Sequence, residues 1–206
     1  MAFLDDAGNQ ALTEAIAAVE ARSRAEVVVV VRPVAGGYLG EDMLLGNLAG
    51  FAGLWYLLHG PWELAPVLYV LQPALTIAAV LGLLRALPVL RRPFISDARR
   101  HAAVHEAAAA TFFHRHIGST RERTGVLVFV ALFEQRVEIL ADAGITSLVP
   151  KAEWREAAGL LEGVFHDGGG AVELAERIKT ALGPRLERWC EARPDDINEL
   201  PDDVGA

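Results

Sequence analysis

Residues 121–145 read RERTGVLVFVALFEQRVEILADAGI. Val126, Val128 and Val130 fall on one side of an extended chain, and Leu127, Phe129 and Ala131 on the other. Successive strand residues face opposite ways, so apolar residues at both parities predict a strand buried on both faces. In the RVEILAD portion the pattern alternates instead. Val137 and Ile139 point inward and Arg136 and Glu138 outward, which predicts a half-exposed strand after a turn. The pair ends in an acidic, glycine-containing tip, Ala141-Asp142-Ala143-Gly144.

A second buried strand is expected at AEVVVVVRPV, where Val27 to Val31 are β-branched and stiff at χ1. Pro33 ends it. Ahead of it, Asn9 to Arg24 carries Leu12, Ala15, Ile16 and Val19 at helical spacing. Asp97 can cap a helix running to about Ile117, with Val104, Ala108, Phe112 and Ile117 along one side. Another helix is expected from about Lys151 to Phe165, burying Trp154, Ala158 and Leu161. Gly168 to Gly170 reads as its C-cap and a turn. The last helix ends near Ala192, interrupted at Gly183-Pro184. The acidic, proline-punctuated tail is expected to be poorly ordered.

The composition holds a further feature. Of 206 residues 52% are hydrophobic, yet the net charge is −8. Such a balance places the apolar residues in blocks. MLLGNLAGFAGLWYLLHGPW lies between Asp42 and Glu63, and LAPVLYVLQPALTIAAVLGLL between Glu63 and Arg85. Neither has a formal charge if His59 is neutral. At ~1.5 Å per residue, about 20 residues span a ~30 Å hydrocarbon core, so each block is expected to cross a bilayer. Gly60-Pro61 makes the link a turn, and Trp55, Tyr56 and Trp62 cluster there as interfacial aromatics would. Pro66 and Pro73 are expected to kink or break the second helix. Arg85, Arg91, Arg92, Arg99 and Arg100 follow that helix, while the link has no Lys or Arg. By the positive-inside rule, both ends of the hairpin face the cytoplasm. MAFLDDAGNQ shows no signal-peptide pattern, and the single Cys190 excludes an intramolecular disulfide. The acidic balance argues against a nucleic-acid partner.

The expected fold is therefore α/β (α+β): a small sheet flanked by helices and interrupted by a transmembrane α-hairpin. Residues 1–42 would form its first part, 43–90 the hairpin, 91–192 the remainder and 193–206 the acidic tail. This order resembles the TPM domain family. The resemblance is carried by TEAIAAVEARSRAEVVVVV, by residues 121–145, by the helix near Trp154, and by Asn198-Glu199-Leu200-Pro201-Asp202 near the end. It is similar to a bacterial inner-membrane branch in which a two-helix hairpin interrupts the domain after the first strand. The resemblance implies an inner-membrane protein with its soluble domain and both termini cytoplasmic. Roles in the wider family include acid-phosphatase-like activity, calcium binding, photosystem repair and receptor accessory functions.

The wider family tends to have an acidic loop and Asn-Gly before the second strand, and Gly-x-Gly after the third. Here Thr124 stands where Asn would be, and Asp142 occupies the first glycine position, with Gly144 matching the second. Asp142, Glu122 and Thr124 are the candidate ligands for a divalent cation such as calcium, a hard ion that wants several oxygens. Asp142, Glu122 and Arg123 are the candidates for phosphatase chemistry, with Arg121 and Arg123 as possible anion donors. Against these stands the plainer reading that Asp142 is a strand-end residue making a local backbone hydrogen bond. His101 and His105 share a helix face at i, i+4, without the third ligand and base a zinc site needs. His114 and His116 lie further along. No Gly-x-Ser-x-Gly elbow, P-loop or Cys-x-x-Cys occurs, and Cys190 reads as packing. Asn47 and Gln72 are polar residues of the hairpin suited to helix contacts.

Two functions follow as expectations. The first is a membrane-anchored, non-catalytic interaction or assembly module, whose partners are the lipid bilayer and a membrane or cytoplasmic protein. The alternative is a metal-assisted, acid-phosphatase-like hydrolase of low activity.

Overall fold

A computed structural model describes residues 3–61, 63–192, 200 and 204. The chain forms two compact units, residues 1–35 with 101–206, and residues 36–100. The first is an α+β domain around a three-stranded mixed sheet in the order β1-β2-β3. β1 (Glu26–Arg32) is parallel to β2 (Gly125–Ala131), with Val29 opposite Val128; β2 is antiparallel to β3 (Arg136–Ala141), with Val128 opposite Ile139.

The two parities of β1 and β2 feed two separate cores, as the valine pattern predicts. Val27, Val29, Val31, Val126, Val128 and Val130 pack with α1 (Asp6–Glu20), through Leu12, Ile16 and Val19. The same side receives α6 (Lys151–His166) and α7 (Ala171–Arg177). Val28, Val30, Leu127, Phe129 and Ala131 pack against Val104, Ala108 and Ile117. The first two of these belong to α4 (Asp97–His114), and Ile117 opens a short 3-10 turn, Ile117–Ser119. Each fully buried Val, Leu, Ile or Phe side chain among these contributes about 1.5–3 kcal/mol. β3 is less buried, with Val137 inside and its other residues half-buried.

Several local expectations are corrected. α1 ends at Glu20, not Arg24, and Asp5 caps it by accepting the Gly8 N–H at 2.8 Å. Ser96, not Asp97, offers the α4 cap, its Oγ accepting from Arg99 N–H at 3.3 Å. In α6 the fully buried residues are Ala157, Leu161 and Val164, with Trp154 half-buried. Gly168 takes φ +68°, and Gly169 N–H returns to the Val164 carbonyl at 2.9 Å, so the glycine run does end α6. Gly183-Pro184 does not interrupt the last helix. A π-helical turn, Ile178–Leu182, joins α7 directly to α8 (Gly183–Trp189). The wider turn immediately precedes a proline that has no N–H and would crowd the carbonyl four residues back.

Of the tail, only Leu200 and Val204 lie among the described residues. Leu200 packs beside the second core and Val204 beside the first; Leu200 N–H donates to Glu26 Oε2 at 3.2 Å. The rest of the Asn198–Asp202 motif lies outside the described residues, as does Trp62.

The second unit is a helical hairpin. α2 (Leu39–His59) packs antiparallel to α3 (Pro66–Ala86), each 21 residues or about 31 Å long. Pro66 opens α3 rather than kinking it, since the first helical position needs no N–H, and α3 continues through Pro73. Gly46, Gly50 and Gly53 make a trough on α2. A Cβ on Gly50 would lie 3.3 Å from the Pro73 carbonyl oxygen, and one on Gly46 3.4 Å from Ile77 Cγ2. Gly53 leaves room for Gln72, whose amide would stand 2.2 Å from such a Cβ. Small residues thus let the helix backbones approach closely. Asn47 instead donates within α2, to the Met43 carbonyl at 2.8 Å. The expectation that each block is by itself apolar enough to cross a bilayer is corrected: α3 alone among the described residues is long and apolar enough, because α2 takes Glu41 and Asp42 into its first turn and also carries Asn47 and His59.

Candidate functional site

The sheet tip gathers the N-terminal ends of β1 and β2 and the C-terminal end of β3. Asp142 follows β3 and caps the short helix α5 (Ala143–Thr146): its Oδ1 accepts the Ala143 N–H at 2.6 Å. Its own N–H continues the ladder to the Gly125 carbonyl at 2.9 Å. The other carboxylate oxygen, Oδ2, is buried without a partner among the described residues. A Cβ on Gly118 would lie 3.4 Å from that oxygen, so the 3-10 turn covers it.

The remaining tip candidates serve the turn. Glu122 accepts from Arg24 Nη1 at 3.1 Å. Thr124 is buried; its N–H donates to Thr120 Oγ1 at 2.9 Å, and its carbonyl accepts from Glu26 N–H at 3.1 Å. Arg123 adopts φ +58°, and its carbonyl accepts the Gly144 N–H at 3.1 Å. Arg121 and Arg123 are exposed. Gly144 is required here because a Cβ would sit 2.3 Å from the Glu122 carbonyl oxygen. The tip therefore brings Asp142 and the 122–124 turn together through backbone contacts, not through converging carboxylates. Among the described residues no group of three or more His, Cys, Asp or Glu side chains is arranged to hold a metal ion. Cys190 is wholly buried, and burial pushes its thiol up from the ordinary 9.0, with Arg24 opposing the shift; a thiol so held is a poor nucleophile.

A different feature stands at the free edge of β3. Asp142 N–H bonds to β2, so by antiparallel alternation residues 140, 138 and 136 also face β2, and 137, 139 and 141 turn their peptide groups outward. Side chains confirm this at both ends. Glu162 of α6 accepts the Val137 N–H at 3.1 Å, and Thr146 Oγ1 donates to the Ala141 carbonyl at 2.8 Å. Between these two caps the edge at Ile139 has no partner among the described residues. A groove of about 430 Å³ runs alongside, with Trp154, Arg155 and Ala158 of α6 on one wall and His101 and Glu138 on the other. Glu138 engages His105 at 3.0 Å, and Glu162 also stands 3.6 Å from Arg136. Both carboxylates are thus committed. Among the described residues Arg155 and His101 have no ion-pair or hydrogen-bond partner, and the buried Trp154 indole N–H has no acceptor. The sequence pattern marked β3 as half-exposed but gave no sign of its free edge, which depends on strand order.

No protein-family model matches the chain, and no curated protein matches it. Among solved structures, the NMR structure of BA42 protein from the psychrophilic bacteria Bizionia argentinensis sp. nov. is similar in fold. The TM-score is 0.60 at 18% identity, covering 98% of this chain and 94% of that one. At that identity the likeness is one of fold.

Proposed function

We propose that the chain is a TPM-like binding module on the cytoplasmic face of the inner membrane, anchored by the α2–α3 hairpin, which holds a protein partner rather than performing catalysis. The observation that carries this reading is the apolar surface of the hairpin. Phe51, Trp55, Leu58, Val70 and Leu75 are all more than half exposed, Val70 at 76%. An apolar helix whose apolar side chains find no cover within the chain needs an apolar surrounding. Aromatic residues at the turn and arginines after α3 fit a bilayer crossed twice, with the arginines cytoplasmic. At the tip, Asp142 Oδ1 and Thr120 Oγ1 hold backbone N–H groups, and no set of carboxylates converges among the described residues.

Topology labelling tests the anchor. With a membrane-impermeant maleimide on intact spheroplasts, Glu63→Cys in the link should label, and Ala143→Cys in the sheet domain should label only after permeabilisation. The opposite pattern, or release of the chain by alkaline carbonate, would overturn the anchoring. The buried Asp142 Oδ2, without a partner among the described residues, favours one second reading, the phosphatase. Hydrolysis of a generic phosphate ester that requires a divalent cation and disappears in Asp142→Ala would establish it in place of the binding role.

A further inference from the structure

We propose that the open stretch of β3 takes up an extended peptide of a partner protein as a fourth strand, with an acidic side chain of that peptide against Arg155. The inference rests on the reading of the chain as a binding module and names its docking surface. Four backbone groups face outward between the two side-chain caps: the Val137 carbonyl, the Ile139 N–H and carbonyl, and the Ala141 N–H. An added strand lies ~4.8 Å from its neighbour and pairs with such a row, which gives affinity, while side-chain pockets give specificity. The 430 Å³ groove supplies the space beside the edge. Trp154 and Ala158 offer an apolar wall to one face of the incoming strand.

Charge selects the occupant. Glu138 and Glu162 are held by His105, Val137 N–H and Arg136, whereas Arg155 and His101 have no partner among the described residues. The uncommitted donors on the rim favour a peptide carrying a carboxylate. Between the caps at Val137 and Ala141, β3 has no proline and no bulge against β2, so its ladder can continue outward there.

The test uses the full chain, isotope-labelled in detergent micelles, and a capped peptide Thr-Val-Glu-Val-Thr, alongside its counterpart with Lys in place of Glu. Saturable amide shifts at Ile139 and Ala141, with slowed solvent exchange at Ile139, are expected with the acidic peptide. The Lys peptide should bind about fivefold more weakly, the size of one rim ion pair. Arg155→Glu, an exposed substitution whose spectrum reports directly on folding, should reverse that order. An unmoved Ile139 amide at millimolar peptide, or equal binding of the two peptides, would overturn the proposal. So would protection of the same amides by self-association without peptide, which would make a second copy the occupant. Failure of the chain to insert into bilayers would sink the anchor and leave this edge intact. A silent edge on a correctly inserted chain would sink only the docking surface.

Discussion

The base of the hairpin offers the sharpest energetic test. Asp42 in the first turn of α2 meets Arg91, just after α3, at 3.2 Å, and their side chains are only 9% and 12% exposed. Arg91 also lies over the Tyr38 ring at 5.2 Å, and Arg99 over the same ring at 5.6 Å. At 3.2 Å and an effective dielectric of about 20 the gross attraction is roughly 5 kcal/mol, much of it offset by desolvation of both ions. The net value of the pair is therefore small, but removing one charge leaves the other buried without its counter-ion. Asp42→Asn should cost about 3–5 kcal/mol, while the apolar double substitution Asp42→Leu with Arg91→Met should lie within about 1–2 kcal/mol of the native chain. Pulse proteolysis in mixed micelles at rising SDS fraction reads the population of opened hairpin. A cost below about 1 kcal/mol for Asp42→Asn, or a double substitution as costly as the two single ones added, would refute the claim that this pair locks the hairpin.

Three further outcomes follow from the sheet domain. Gly125→Ala would place a Cβ 2.0 Å from the Ile117 carbonyl oxygen, so thermal unfolding should show a loss of about 1–3 kcal/mol or more. Leu161→Ala, at a wholly buried site facing the first core, should lose about 2–5 kcal/mol by chemical denaturation. Burial raises the Cys190 thiol, so the unfolded chain gives up this proton first as pH climbs past 9.0. The stability it contributes is present below that pH and lost above it. Denaturation midpoints of the native chain should consequently fall more steeply above about pH 9 than those of Cys190→Ala; parallel curves would exclude the effect.

Much of this fold was legible from residue parity and length. The run Val27 to Val31 and the GVLVFVA stretch have apolar residues at both parities, and each strand is buried on both faces. The two apolar blocks on either side of Gly60-Pro61 correspond to α2 and α3, but among the described residues only α3 is apolar enough to cross a membrane. Prolines misled, because their effect depends on position: Pro66 sits where a helix has a spare N–H, and a π-turn precedes Pro184. The Asp42–Arg91 pair joins residues read separately in the sequence, one as the edge of an apolar block and the other as part of an arginine cluster after the second block. Only the folded hairpin sets them side by side.

The site was harder to read, for a reason visible at Asp142. A carboxylate next to a glycine after a strand suits a cation, but the same pattern starts a helix and admits a close backbone crossing. Both of the latter uses are realised, in the Ala143 N–H bond and in the contact of Gly144 with the 122–124 turn. Glu122 meanwhile faces Arg24, nearly a hundred residues away in sequence, which no local pattern reveals. The β3 edge poses the converse problem. Its recognition groups are peptide N–H and C=O groups, which every residue except proline carries in full, so they leave no signature in residue type. What distinguishes Ile139 is the absence of a strand beyond it among the described residues, together with Glu162 and Thr146 closing the positions on either side. A binding surface of that kind is written in strand order and capping, and becomes readable only when the sheet is assembled.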